Sequence, residues 1–74
     1  MSRLVRMDQT GHTIVAEWTA EDAQAVEAAV LAFRAELDNG YYGVVTRGEG
    51  QAEQVRELPL DAPLVILRRP IAGG

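Results

Sequence analysis

One stretch of this 74-residue chain carries a helical repeat, and every other apolar segment is short and strand-like. Ala23, Val26, Val30, Phe33 and Leu37 recur at three- and four-residue steps and form one apolar stripe, with Ala29 on its margin. A single helix of that kind covers one face of one sheet, so the pattern predicts a two-layer α+β domain. The helix is expected from about Ala20 to Leu37, with Thr19 as N-cap, Asp22 in the place of a capping-box acid and Glu21 adding favourable first-turn charge. Asn39-Gly40 supplies the left-handed stop. The opposite helix face, Gln24, Ala28, Leu31 and Ala35, carries less charge than a solvated face usually does. The helix propensity of Ala accounts for most of that, and an interaction surface is the other reading.

The strands follow from alternation and β-branched content. Arg3–Met7 and Thr13–Trp18 flank the turn-forming stretch Asp8-Gln9-Thr10-Gly11-His12 and read as a hairpin. In the second strand Ile14, Ala16 and Trp18 are expected on one face and Thr13, Val15 and Glu17 on the other. In the first, Leu4 and Arg6 oppose Arg3, Val5 and Met7, and either set suits the inward face. Tyr41–Thr46 is a third strand stopped by Gly48-Glu49-Gly50, and Gln54–Leu58 a short edge strand ended by Pro59. Leu64–Leu67 is apolar throughout, as a central strand covered on both faces would be. The order is ββαβββ, one helix on a mixed four- to five-stranded sheet, with the first and last strands side by side in its middle.

Composition narrows the function. Eleven acids against seven basic residues give a net charge of -4, which argues against nucleic acid or an anionic membrane as partner. All seven basic residues are Arg, and neither Lys nor Cys occurs, so a disulfide framework, a thiolate zinc site and a Cys nucleophile are excluded. The only His, His12, falls in a turn, and the only Ser is Ser2 near the start, so no nucleophile has a base beside it. Glu49, Glu53 and Glu57 would face together only in a helix, Glu21-Asp22 is explained by capping, and the glycines follow no phosphate-loop spacing. No catalytic residue, bound cofactor or metal site is expected. Nothing resembles a signal peptide, and no uninterrupted apolar run approaches the eighteen or so residues of a membrane span. A cytoplasmic protein is the expectation.

The end of the chain stands apart. Residues 1–69 read as the folded domain and 70–74, Pro70-Ile71-Ala72-Gly73-Gly74, as a tail. A Gly-Gly end by itself is also what a frayed terminus looks like. Pro70, however, favours an extended exit, giving the tail a reach of about 16 Å at roughly 3.3 Å per residue. Gly73 and Gly74 lack the Cβ atoms that would block a narrow channel, so the terminal carboxylate is able to reach a nucleotide held by another protein. Adenylation would turn that carboxylate, a poor acyl donor, into a good one.

These residues resemble the ubiquitin-like β-grasp proteins, including the prokaryotic sulfur carriers of the thiamine and molybdopterin pathways. Thr10-Gly11-His12-Thr13-Ile14 looks like the first hairpin of ubiquitin, Leu64–Leu67 like its last strand and Arg68-Arg69 like the basic residues before its tail. Pro70-Ile71-Ala72-Gly73-Gly74 is closer to the sulfur carriers. The resemblance implies a β-grasp fold and an E1-like partner that uses ATP to adenylate Gly74, with Gly73 giving clearance. It also implies that Arg68, Arg69, Ile66 and Ile71 meet partners, Ile66 and Arg68 with Val45 or Tyr41 on the sheet face away from the helix. The connection between helix and last strand is short beside that of ubiquitin.

Three functions stay open on this basis. A protein modifier would pass Gly74 to an E2-like enzyme thiol and then to a target, with a peptidase to process or release it. A sulfur carrier would convert the same adenylate to a thiocarboxylate. A non-covalent interaction domain would leave the tail inert. Without Lys, self-linkage would require the N-terminal amine or a hydroxyl of Ser2 or a Thr. Self-assembly would use a sheet edge or the helix face around Leu31.

Overall fold

The computed structural model describes residues 1–46 and 50–70. They form strands β1 (Ser2–Asp8) and β2 (Gly11–Trp18), helix α1 (Ala23–Asp38), and strands β3 (Tyr42–Thr46), β4 (Ala52–Val55) and β5 (Leu64–Arg68). The five strands make one mixed sheet in the order β2-β1-β5-β3-β4. β5 lies in the centre, parallel to β1 and antiparallel to β3, the position expected of its unbroken apolar run. The architecture is a small α+β domain with one helix on one face of a five-stranded sheet, compatible with a β-grasp.

The core between helix and sheet is built on Leu4, Trp18, Ala29, Phe33, Val45, Leu58, Val65 and Leu67. Val65 and Leu67 point at the helix, so Ile66 between them points away. Leu4 takes the inward face of β1, settling the face that alternation left open, and Arg6 follows it inward. Trp18 is fully buried, and its indole Nε1–H donates to the Leu60 carbonyl at 3.1 Å, pinning the β4–β5 connection over the end of the core.

Several expectations are corrected. The helix begins at Ala23, and its N-cap is Asp22 rather than Thr19. Asp22 Oδ1 accepts from the Ala25 backbone N–H at 3.1 Å, while Thr19 only closes a preceding turn through its carbonyl. The buried stripe is also rotated. Ala29, expected at the margin, lies at its centre with Phe33 and Glu36, whereas Ala23 is exposed and Val26, Val30 and Leu37 are half-buried. In β2 the expected grouping of Ile14 with Ala16 and Trp18 fails, because the register shifts between Leu4 and Val5. Leu4 pairs with Ala16 but Val5 pairs with Ile14, so Val15 is the extra residue of a bulge. Ile14 is thereby turned outward and is 49% exposed. The edge strand ends at Val55 instead of Leu58, which leaves the strand line to fill the core.

The far end of the helix closes as expected at Gly40, whose φ is 96°. The Gly40 N–H donates to the Leu37 carbonyl at 3.0 Å and the Tyr41 N–H to the Glu36 carbonyl at 3.0 Å, the paired bonds of a Schellman motif. That motif delivers Tyr41 to the end of the sheet where β1 and β5 finish.

Candidate functional site

β1 and β5 run in parallel, so the first hairpin turn and the end of β5 share one edge of the molecule. The turn is fixed locally: Asp8 Oδ1 accepts from the Thr10 backbone N–H at 2.9 Å and from its hydroxyl at 2.6 Å, and Gly11 takes a φ of 119°. The hydrogen bonds to Thr10, side chain first and then backbone, hold the Asp8 carboxyl below its ordinary value, with a smaller contribution from Arg6. Between this turn and the end of β5 lies an open depression whose lining includes Asp8, Thr10, Tyr41, Tyr42, Arg68 and Arg69.

The two arginines expected to act as a pair are placed differently. The Arg68 side chain is exposed and makes no ion pair or hydrogen bond among the described residues. Arg69 folds back: its Nη2 donates to the carbonyl of the helix C-cap Asn39 at 3.3 Å, and its guanidinium carbon lies 5.3 Å from the centre of the Tyr41 ring. Arg6 reaches the same ring at 5.9 Å. Its Nη1 donates to Glu36 Oε1 at 2.8 Å, and Glu36 is buried although charged. Arg6 Nε and Glu36 Oε2 are buried without a hydrogen bond, and Nε lies 4.0 Å from Asp8 Oδ2.

Alternation alone does not reveal this cluster. An acid three residues after Phe33 falls on the apolar stripe, and an Arg two residues after Leu4 falls on the inward face of β1. Each looks like a misplaced charge alone, and the opposite signs are the signal that they meet. Tyr41, expected on the outer sheet face, packs instead against the core at the helix end. Val45 is corrected likewise: it is 3% exposed and faces the helix, while Val44 pairs with Ile66.

Ile66 lies on the outer face as expected, half-buried in a shallow groove lined by Arg3, Val5, Met7, His12, Ile14 and Leu64. His12 belongs to β2 rather than to the turn and is exposed. The less charged helix face is exposed too, with Leu31 at 59%. Ile71, Gly73 and Gly74 lie outside the described residues, as does Glu49. No group of three metal-ligating side chains occurs among the described residues, and no helix among them is long and apolar enough to cross a membrane. No protein-family model, curated protein or solved structure matches this chain.

Proposed function

We propose that this chain is a ubiquitin-like β-grasp modifier whose Gly74 carboxylate, present as such or exposed by a peptidase, is activated by an E1-like enzyme and joined to a target. The observation that carries the reading is the course of β5. The strand holds the centre of the sheet, parallel to β1, yet hands the chain to exposed Arg68, Arg69 and Pro70 just before Ile71-Ala72-Gly73-Gly74. The last three described residues before that segment, Arg68, Arg69 and Pro70, are thus exposed at the end of a central strand. In the activation step the carboxylate oxygen attacks the α-phosphate of ATP, pyrophosphate leaves and an acyl-adenylate remains. A partner thiol then displaces AMP to give a thioester, and a target amine or hydroxyl displaces the thiol. This chain supplies the acyl group and its recognition surface, while the thiol comes from a partner because the chain has no Cys. Arg68 and Ile66 are its exposed and half-buried contacts for that partner. ATP-dependent activation fits a cytoplasmic location.

The tail sequence Pro70-Ile71-Ala72-Gly73-Gly74 favours a second reading, a sulfur carrier in which sulfide sulfur displaces AMP and leaves a thiocarboxylate. Incubation with Mg-ATP and the E1-like enzyme of the same organism, with its soluble extract as the source of targets in one arm and sulfide added in the other, followed by intact mass, tests both. Pyrophosphate release that vanishes on deletion of Gly74 is expected. A conjugate then adds the mass of a whole protein, whereas a carrier adds only one oxygen-to-sulfur exchange. Release that survives the deletion, or no release at all, overturns the proposal.

A further inference from the structure

We infer that Arg69 is a positioning residue, clamped to Tyr41 and the helix C-cap so that it fixes the point and direction at which the chain leaves the sheet. The inference goes beyond activation of Gly74 and holds whatever becomes of that carboxylate. Three independent features make the seat. The last carbonyls of α1 carry the negative end of the helix dipole, and one of them, Asn39, accepts from Arg69 Nη2 at 3.3 Å. The Tyr41 ring, delivered by the Schellman turn, presents its electron-rich system 5.3 Å from the same guanidinium. Arg6 lies 5.9 Å from the centre of that ring and would repel Arg69, but its charge is answered by Glu36 at 2.8 Å.

The half-buried Arg6–Glu36 pair therefore has a task that a pair of apolar side chains would not perform. It keeps Arg6 near the ring and leaves the pair without net charge to oppose a second cation. Arg68, one residue earlier, has none of these partners among the described residues. The two arginines thus divide the work: Arg68 is presented outward, and Arg69 holds the exit.

NMR of the whole chain tests the clamp without any partner. In the native protein the Arg69 side-chain methylene protons should be shifted upfield by the Tyr41 ring current, and the Arg69 amide should show an order parameter near the rigid value of about 0.85. Tyr41→Leu should return those protons to random-coil positions and lower the order parameter toward about 0.6. Tyr41→Phe, which keeps the ring, should preserve both. Arg69→Gln, at an exposed position, should lower the order parameter in the same way and keeps the test decisive should Tyr41→Leu fail to fold. Arg68→Gln should change neither readout. Random-coil shifts for Arg69 in the native chain, or an order parameter unmoved by Arg69→Gln, overturn the inference.

Discussion

Removing either partner of the Arg6–Glu36 pair should destabilise the fold, and by unequal amounts. The Glu36 side chain is only 10% exposed, while Arg6 keeps 32% of its side-chain surface in solvent. Breaking a fully buried pair costs about 3–5 kcal/mol because a charge is left without compensation. Arg6→Met leaves that charge on Glu36, whose Oε2 already lacks a hydrogen bond, so the loss should sit near the lower end, about 3 kcal/mol. Glu36→Gln leaves the charge on Arg6, which reaches solvent, has Asp8 4.0 Å from Nε and keeps an amide oxygen in place of the carboxylate. Only the difference between a charged and a neutral hydrogen bond is lost, about 1 kcal/mol. For a domain of this size those losses lower Tm by roughly 12–24 °C and 4–8 °C. Urea unfolding of both variants and of Arg6→Met/Glu36→Leu measures them. The double replacement should recover most of the Arg6→Met loss, since apolar groups of similar volume substitute well for a buried pair. Equal losses in the single variants, or a double variant less stable than Arg6→Met, would refute the reasoning.

Gly43 sits on the inward face of β3, where an added Cβ would lie 2.7 Å from Phe33 Cε1 and 2.9 Å from its Cζ. Gly43→Ala should therefore cost about 1–3 kcal/mol by overpacking a rigid buried ring, exceeding the roughly 0.4–1 kcal/mol that Ala contributes by restricting the unfolded chain. Chemical unfolding should show partial recovery when Phe33→Leu is added, and a Gly43→Ala variant as stable as the parent would contradict the close approach. The Asp8 carboxyl, held below its ordinary value chiefly by Thr10, favours the folded state above its unfolded pKa of about 4 and loses that advantage as pH falls through the lower folded value. Thr10→Ala should raise the Asp8 pKa in a carbon-detected titration and shrink the acid-induced loss of stability; an unchanged titration would show that the hydroxyl is not the cause.

How far the sequence reaches is clearest in β1 and β2. The hairpin, its turn and the single helix are legible because local chemistry decides them: Asp8, Thr10 and Gly11 make the turn, and Gly40 ends the helix. The central place of β5 is legible from its unbroken apolar run. The face of Ile14 is not, because a bulge moves every later residue by one step and alternation contains no mark of where the extra residue is inserted. Thr19 and Asp22 are both good caps, and three residues of helix separate the two choices. Arg68 and Arg69 look alike in the sequence, and only the arrival of Tyr41 from a distant segment tells them apart.

The two ends of the core differ in kind, and the difference bears on function. At the Trp18 end the helix and sheet close over apolar side chains, with one indole hydrogen bond to tie down a loop. At the Tyr41 end the same layers close over a half-buried ion pair and a ring shared by two guanidinium groups. An apolar closure at that second end would serve stability as well, since buried pairs give little net gain over hydrophobic packing. What the charged closure adds is direction: a hydrogen-bonded guanidinium tolerates less angular freedom than a packed methylene. That constraint falls one residue before Pro70, which fixes its own φ. Orientation at the exit is therefore set by two successive residues of different physics, a cation held from outside the strand and a ring closed on its own backbone.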